Sequence, residues 1–222
     1  MFPLIDIKIT EDGSTTLYRS DLDEHYHSIH GAIQESMHIF IEMGLQKHQS
    51  NALKILEIGF GTGLNALLTM LNAENRQIAY HTVEKMRLED AIIEQINYPK
   101  LLSSSISENW FKKIHQAEWN REYEIEPWFK IKKIEADITD YQFETDYDIV
   151  YYDAFSPEKQ PELWNAKIFK QIFCSMSNNS ILTTYCSKGT VRRALLEVGF
   201  KVERVAGPYG KRHIIVAHKV IN

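Results

Sequence analysis

The feature that most constrains the fold of this chain is a glycine-rich turn between two apolar segments. Ile55–Ile58 is typical of a short strand, and Gly59, Gly61 and Gly63 follow in alternation. The apolar segment Leu64–Leu71 comes next and predicts a helix. At such a turn the backbone approaches a ligand closely, and the start of the helix offers free N–H groups. In an open α/β sheet a nucleotide-like ligand binds there.

The spacing of the glycines narrows the class of ligand that this turn can bind. A dinucleotide fingerprint would need a glycine at Leu64, and the phosphate-binding G-x-x-x-x-G-K-[ST] pattern is absent. The pattern E-x-G-x-G-x-G resembles the first motif of class I S-adenosylmethionine (SAM) methyltransferases. A turn without a ligand is disfavoured, because alternating glycines are costly unless the backbone conformation demands them. The residues of this segment predicted to bind SAM are Glu57, Gly59, Phe60, Gly61, Thr62, Gly63 and Asn65.

The pattern after residue 50 alternates between strands and helices, which predicts a parallel sheet with crossover helices. The predicted strands are Lys54–Ile58, Ile78–Val83, Phe129–Glu135, Asp148–Tyr152, Ile181–Tyr185, Lys201–Ala206 and His213–His218. The predicted helices are Leu64–Leu71, Arg87–Ile96, Ile106–Gln116, Glu162–Met176 and Thr190–Val198. Only a Gly-Pro turn separates the last two strands, so we expect them to pair antiparallel. This arrangement is similar to the Rossmann-like class I methyltransferase fold, a mainly parallel α/β sheet with a C-terminal antiparallel hairpin strand.

The chain before this alternation has a different pattern. Strand-like Thr15–Tyr18 follows an Asp-Gly turn, and apolar residues from Ile29 to Met43 recur at helical spacing. We therefore predict an N-terminal elaboration over residues 1–50 and a SAM-dependent methyltransferase domain over 51–222.

Acidic residues follow several of the predicted strands, at the edge of the sheet where ligands bind. Glu84, followed by Lys85, is placed to accept hydrogen bonds from the hydroxyls of a ribose. Asp137 and Ile138 are placed to hold an adenine, the acid by its amine and the apolar side chain by its ring. Each acid alone has an ordinary explanation as a surface or helix-capping residue. Together these strand ends favour a cofactor that carries a nucleoside.

Asp153 is the predicted catalytic residue. It ends a very apolar strand, so we expect partial desolvation to raise its pKa. Methyl transfer from a sulfonium needs a neutral nucleophile held in line with the methyl group, and a carboxylate there can accept a proton from an amine. The alternatives are that Asp153 caps the following turn or holds the amino group of the cofactor, and these readings are compatible.

Asp153 also begins a longer pattern. Asp153-Ala154-Phe155-Ser156-Pro157, with Lys159, Pro161 and Leu163-Trp164, resembles the signature of the tRNA 5-methylaminomethyl-2-thiouridine methyltransferase family. Further matches are the turn at Phe60–Asn65, the Glu84-Lys85 pair, the segment from Ser187 to Phe200, Gly210-Lys211-Arg212 and Tyr26-x-Ser28. The resemblance spans nearly the whole chain.

This resemblance implies SAM-dependent methylation of the aminomethyl nitrogen on the modified wobble uridine of tRNA. Some family members carry a fused flavin-dependent oxidoreductase, whereas this chain is similar to the methyltransferase part alone. We therefore expect functional coupling to a separate enzyme that supplies the aminomethyl-uridine, and the anticodon stem-loop of tRNA as the partner.

The substrate side is predicted from basic and aromatic residues. Basic side chains contact phosphates, and unpaired bases stack on aromatic rings. The alternative is that the basic residues form an ordinary solvated helix face and that the aromatic residues belong to the core. Phe155 and Pro157 are predicted to shape the mouth of the active site, and Phe155 is also predicted to contact the cofactor. The predicted substrate residues are Tyr26, His27, Pro157, Lys159, Lys188, Arg192, Lys211 and Arg212. Further stacking candidates are Tyr151, Tyr152, Trp164 and Tyr209, with at most one of the two adjacent tyrosines facing the pocket.

Composition sets the remaining limits. A net charge of −5 argues against a globally basic nucleic-acid binder but not against a local basic patch. There is no transmembrane segment or signal peptide pattern, and Cys174 and Cys186 form no C-x-x-C pair, so we expect a cytoplasmic protein with no membrane partner. His25, His27 and His30 have no familiar metal-ligand spacing, so no metal is predicted.

Two other functions are weighed. One is an aminopropyltransferase of the spermidine-synthase type, disfavoured because this chain lacks the G-G-G-[DE]-G turn and has one acid, Asp153, in the loop. The other is a non-catalytic SAM-binding partner protein, which would transfer no methyl group to tRNA.

Overall fold

The computed structural model describes residues 5–102 and 105–220 and contains two sheets. The first is a small antiparallel sheet of three strands near the N-terminus: β1 (Ile5–Ile9), β2 (Thr15–Arg19) and β3 (Glu24–His25). A short helix, α1 (Ala32–Ser36), follows and continues as a π-helix over Met37–Glu42 and a 3₁₀ turn over Leu45–Lys47. The predicted strand at Thr15–Tyr18 is confirmed, and the predicted helix begins three residues later than expected, after Gly31.

The main sheet has eight strands. They are β4 (Ala52–Ile58), β5 (Gln77–Glu84), β6 (Glu122–Glu126), β7 (Phe129–Glu135), β8 (Tyr147–Tyr152), β9 (Met176–Thr184), β10 (Lys201–Ala206) and β11 (His213–Lys219). Their spatial order is β10-β11-β9-β8-β4-β5-β7-β6. The pairs joining β9, β8, β4, β5 and β7 are parallel, and β11 pairs antiparallel with both β9 and β10. The predicted C-terminal hairpin is therefore confirmed.

Helices cover both faces of this sheet. They are α2 (Leu64–Leu71), α3 (Asp90–Ile93), α4 (Tyr98–Leu101), α5 (Ser105–Gln116), α6 (Ala166–Ser175) and α7 (Gly189–Val198). The buried apolar residues form two clusters, one on each side of the sheet. Consecutive residues of β8 show the division, because Tyr151 belongs to one cluster and Tyr152 to the other.

Two helix predictions were too long. The segment predicted as Arg87–Ile96 is helical only over α3, which has no fully buried residue, so little apolar packing supports a longer helix. The segment predicted as Glu162–Met176 begins as a 3₁₀ turn at Pro161–Leu163, and α6 starts afresh after Asn165, whose side chain caps it by accepting from the N–H of Ile168.

The topology brings the carboxyl ends of β4, β5, β7 and β8 to one edge of the sheet. The turns that follow these strands are therefore neighbours. Within the described ranges, none of the helices has the length and apolar character needed to cross a membrane.

Candidate active site

The glycine turn after β4 adopts a backbone that other residues rarely accept. Gly59, Gly61 and Gly63 have φ angles of +90°, +50° and +75°. A Cβ on Gly59 would lie 2.7 Å from the carbonyl oxygen of Asp153, and one on Gly61 would lie 3.1 Å from the ring of Tyr26. Gly63 is the N-cap of α2. The alternating glycines are thus required by conformation and by close approach of other groups.

Beside this turn lies a cavity of about 790 Å³, within the range of ligand sites in proteins. The carboxyl ends of β4, β5, β7 and β8 form its floor, and residues 19–30 of the N-terminal segment form the opposite wall. The sequence-predicted residues that line it are Tyr26, His27, Gly59, Phe60, Gly61, Thr62, Asn65, Glu84, Lys85, Asp137, Ile138, Asp153, Phe155 and Lys211.

Glu84 is fixed at the end of β5 by the glycine turn. Its two carboxylate oxygens accept hydrogen bonds from the backbone N–H groups of Gly61, at 3.1 Å, and Met86, at 2.9 Å. Burial raises the pKa of Glu84, and these backbone hydrogen bonds act in the opposite direction. Each oxygen keeps a second lone pair, so the carboxylate can still accept from a pair of hydroxyls.

Asp137 lies one strand further along the same edge. Its Oδ2 is 2.7 Å from Nζ of Lys85, and its Oδ1 accepts from the N–H and hydroxyl of Thr139. The hydrogen bond from Lys85 holds the pKa of Asp137 down at about 2. Asp137 is therefore an anchored, ionised acceptor, and the buried side chain of Ile138 supplies an apolar surface beside it.

Asp153 follows β8 and is held from below by α2. Its Oδ2 accepts a hydrogen bond of 2.8 Å from the side-chain amide of Asn65. Desolvation raises the pKa of Asp153 to about 7, although the Asn65 hydrogen bond opposes the shift. A carboxyl group with that pKa can take up and release a proton near neutral pH, as a general base requires.

Glu57 differs from the other acids because it does not line the cavity. It lies within β4, fully buried, next to Thr82 on β5, and burial raises its pKa well above the ordinary value. Neither carboxylate oxygen of Glu57 has a hydrogen-bond partner of standard geometry among the described residues. Glu57 thus lies in the layer beneath the turn and outside the cavity lining.

The N-terminal segment closes over the turn and the Asp153 loop. The ring of Tyr26 packs edge-on against that of Phe155, at 5.0 Å between centroids. The guanidinium of Arg19 lies 5.5 Å from the centre of the Phe155 ring. The carboxylate of Glu24 accepts hydrogen bonds from the N–H and the hydroxyl of Ser156. His27 is buried, which lowers its pKa to about 4 and keeps it neutral.

The other predicted basic residues lie outside the cavity. Lys159 pairs with Asp23 at 3.5 Å, and Lys188 pairs with Glu158. Arg192 and Arg212 are exposed, and Pro157 is half-buried in the loop below the mouth. Only Lys211, among the predicted basic substrate residues, reaches the cavity wall, where its Nζ is 3.0 Å from a carboxylate oxygen of Glu35.

The stacking candidates separate into two groups. Tyr151, Tyr152 and Trp164 are core residues, because both faces of the sheet are covered. Neither of the two adjacent tyrosines lines the cavity, which agrees with the prediction that at most one does. Tyr209 is 68% exposed on the hairpin turn. The cavity also has lining residues that no sequence motif indicated, and these include Arg19, Glu24, His30, Glu35, Gln160, Glu162 and Tyr185.

The residues present fit SAM. Gly59 and Gly61 line the cavity and present bare backbone to it. The buried Oδ1 of Asn65, in the cavity wall, has no hydrogen-bond partner among the described residues and is suited to an amino group. Glu84 offers acceptors for ribose hydroxyls, and Asp137 offers one for an adenine amine. The described residues that line the cavity do not form a cluster of donors typical of a phosphate site.

Comparison with known proteins decides the family. The family model described as S-adenosyl-L-methionine-dependent methyltransferase matches residues 100–220, more than half of the chain. The chain belongs to this family. SAM is therefore its methyl donor, and the α/β class I methyltransferase fold predicted from the sequence is confirmed.

Relatives with this methyltransferase sequence occur in longer proteins. The chain is 28% identical over 214 residues to the uncharacterized protein MJ0670 of Methanocaldococcus jannaschii, which covers 95% of the chain and 58% of that protein. It is 29% identical over 226 residues to the tRNA 5-methylaminomethyl-2-thiouridine biosynthesis bifunctional protein MnmC of Marinomonas sp., covering 93% of the chain. The chain spans 32% of that protein's length.

Solved structures give the same answer for the methyltransferase fold. MNMC2 from Aquifex aeolicus superposes with a TM-score of 0.78 at 28% identity, covering 97% of this chain and 70% of that one. The spermidine synthase of Thermotoga maritima covers 98% of this chain and 70% of its own, with a TM-score of 0.62 at 15% identity. The second likeness shows a shared fold alone.

Proposed function

We propose that this methyltransferase methylates the aminomethyl nitrogen of the modified wobble uridine in tRNA, converting 5-aminomethyl-2-thiouridine to 5-methylaminomethyl-2-thiouridine. The observation that carries the proposal is Asp153, a carboxyl group with a pKa of about 7 in the wall of the SAM cavity. An amine acceptor must be deprotonated before it can attack, and such a group is suited to take its proton. The similarity to the MnmC protein and to MNMC2 supports the choice of tRNA.

The roles of the cavity residues follow from their positions. We assign the glycine turn and Asn65 to the methionine part of SAM, Glu84 to its ribose, and Asp137 with Ile138 to its adenine. Phe60, Thr62, Lys85 and Phe155 complete the cofactor site, and Glu57 supports it from beneath. Tyr26, His27 and Pro157 shape the approach of the nucleoside.

SAM supplies an electrophilic methyl group, so the acceptor nitrogen gains a carbon bond as the carbon–sulfur bond breaks onto sulfur. Asp153 accepts the proton that the nitrogen gives up. Asn65 keeps one oxygen of Asp153 fixed by its 2.8 Å hydrogen bond, which leaves the other oxygen for the acceptor. The apolar surroundings that raise the pKa of Asp153 also make the carboxylate a stronger proton acceptor.

For the nucleic acid, we propose that exposed Arg192 and Arg212, with Lys159 and Lys188, contact phosphates of the anticodon stem-loop. Lys159 and Lys188 are paired with Asp23 and Glu158 on the surface, and such exposed pairs exchange partners at little cost. We also propose that residues 1–50 act as an elaboration of a domain formed by 51–222, that a separate enzyme supplies the aminomethyl-uridine, and that the setting is cytoplasmic.

The test is transfer of a labelled methyl group from SAM to bulk tRNA that lacks this modification, followed by digestion and identification of the labelled nucleoside. We expect the label in 5-methylaminomethyl-2-thiouridine. Label in another nucleoside, or none in any tRNA, would contradict the proposal. Calorimetry with SAM and with its decarboxylated form provides a second comparison, because a preference for the decarboxylated form would favour aminopropyl transfer.

A further inference from the structure

A second charged pair lies in the wall of the cavity, and the proposed mechanism does not use it. Glu35, on α1, is 8% exposed, and its Oε2 accepts a hydrogen bond of 2.8 Å from the N–H of Ser28. Its Oε1 is 3.0 Å from Nζ of Lys211, on the turn between β10 and β11. The same ammonium lies 4.3 Å from the centre of the Tyr185 ring. Lys211 is therefore held on two sides and is not a freely moving surface lysine.

The turn that carries Lys211 is shaped to bring this side chain inward. A Cβ on Gly207 would lie 2.4 Å from the carbonyl oxygen of Lys211, so the turn can close only with glycine at that position. Gly210 has a φ of +85°, and a Cβ there would overlap the ring of His30. Two glycines thus allow the turn to pack directly on the N-terminal segment. The result is an ammonium group placed in the cavity wall by elements from both ends of the chain.

Glu35 and Lys211 line the same cavity as Asp153, and their charges act on it. The positive charge of Lys211 lowers the pKa of Asp153, and the negative charge of Glu35 raises it. The other groups that face Asp153 from neighbouring elements are Asn65 on α2, Glu57 on β4, Tyr80 on β5, Tyr98 on α4 and Tyr185 after β9.

Burial raises the pKa of Glu57 and of all three tyrosines. Asn65 does not titrate. The charged side chains that shift the pKa of Asp153 are Glu35, which raises it, and Lys211, which lowers it.

We propose that Lys211 and Glu35 are positioning residues of the acceptor site, in which the Lys211 ammonium disfavours a protonated acceptor amine and favours ionised Asp153, while Glu35 holds Lys211 in place and moderates its charge. The inference rests on the proposed function for the identity of the acceptor. It assigns Lys211 to the chemistry of the cavity, not to the phosphates of the RNA.

The consequence is a pair of opposite effects. Removing the positive charge with Lys211→Met raises the pKa of both the acceptor amine and Asp153, and both changes move the ascending limb of the pH–rate profile to higher pH. Removing the negative charge with Glu35→Gln lowers both pKa values and moves the limb to lower pH. A charge a few ångströms away in a partly desolvated site shifts a pKa by about one unit.

The experiment measures kcat/KM for methylation of aminomethyl-uridine tRNA between pH 5.5 and 9.5. It uses the wild type, Lys211→Met, Glu35→Gln and the control Lys201→Met, which removes an exposed lysine on β10. We expect shifts of about one pH unit upward for Lys211→Met, one downward for Glu35→Gln and none for Lys201→Met. If methionine at 211 prevents folding, Lys211→Gln removes the same charge with a polar side chain.

A second readout needs neither SAM nor tRNA. Carbon-13 NMR follows the titration of the Asp153 carboxyl group in the protein alone, with Asp153→Asn identifying its signal. The midpoint should rise in Lys211→Met and fall in Glu35→Gln. Unchanged midpoints, or shifts in the same direction for both variants, overturn the inference. A wild type that methylates no tRNA while the midpoints move as expected contradicts the proposed function and leaves the electrostatic assignment supported.

Discussion

At the scale of single residues, two carboxyl groups in neighbouring positions show how the environment sets their chemistry. Glu57 and Asp153 are both desolvated, and burial raises the pKa of each. Desolvation raises the pKa of Asp153 to about 7 against the opposing hydrogen bond from Asn65, and the group lines the cavity, where it can exchange a proton with a ligand. Glu57 has no contact with the cavity. Burial thus leaves one carboxyl group suited to the proposed role of general base and the other in a structural position.

Replacing Asp153 tests this division. In Asp153→Ala we expect SAM affinity to stay within a few-fold of the wild type, because the turn, Glu84 and Asp137 remain. We expect kcat to fall about 100-fold or more, since loss of a general base typically costs that much. Calorimetry gives the affinity and single-turnover methylation gives the rate. The control is Asp146→Asn, on the exposed loop before β8, where asparagine tolerates the φ of +69°. Normal single-turnover methylation by Asp153→Ala would reject the role.

At the scale of elements, the strands of the main sheet were predictable because strands buried on both faces form short apolar runs. β7 was predicted with its observed bounds, and so was β10, although β10 is an edge strand with no buried residue. β6 (Glu122–Glu126) was missed, because it is an edge strand with mostly exposed and charged residues and lacks that signal. α4 was missed because its four residues are too few to show a helical period.

The candidate site was predictable only in part, for a related reason. The glycine turn and the strand-end acids stand at fixed places in the chain pattern, so Gly59, Glu84 and Asp153 could be found from sequence. Glu35 and Tyr185 reach the cavity through tertiary packing of α1 and of the loop after β9, and no local pattern records that packing.

The turn after β4 offers a test of backbone geometry. Gly59 and Gly13 have φ angles of +90° and +81°, but a Cβ on Gly59 would meet the backbone of Asp153 at 2.7 Å, whereas one on Gly13 has nothing within 4 Å. Gly13→Ala should lose about 1 kcal/mol of unfolding free energy through φ strain alone. Gly59→Ala should lose at least twice as much and also weaken SAM binding. Urea unfolding and calorimetry measure the two effects, and equal losses for the pair would contradict the close approach.

At the scale of the whole molecule, both ends of the chain contribute to one cavity. Glu24 on β3 binds the Ser156 backbone and hydroxyl on one side. On the other side His38 donates from Nε2 to the carbonyl of Ala206, at 2.9 Å. The N-terminal segment is thereby attached both to the loop after β8 and to the C-terminal hairpin. Both attachments hold elements that contribute residues to the cavity wall, so stability and site geometry are linked.

Buried titratable groups make the free energy of unfolding depend on pH, and the buried histidines and Asp153 act in opposite directions. Burial lowers the pKa of His27 to about 4, of His81 to about 4 and of His115 to about 3. The unfolded chain binds these protons near pH 6.5 while the folded chain does not, so their contribution to stability is lost as the pH falls. Asp153 acts in the opposite direction, since the folded protein binds its proton at about pH 7 and the unfolded chain only near pH 4.

Single substitutions should separate the two sets. Relative to Asp153→Asn, the wild type should gain roughly 1 kcal/mol of unfolding free energy per pH unit as the pH falls from 7 to 4, since one proton is bound only by the folded state. Relative to His115→Gln, the wild type should lose a similar amount per pH unit below 6.5. Urea unfolding at pH 7.5, 6.5, 5.5 and 4.5 gives both differences. For His115→Gln, a curve parallel to the wild type would show that His115 titrates alike in the folded and unfolded chain. For Asp153→Asn, the same result would remove the desolvation on which the proposed role of Asp153 depends.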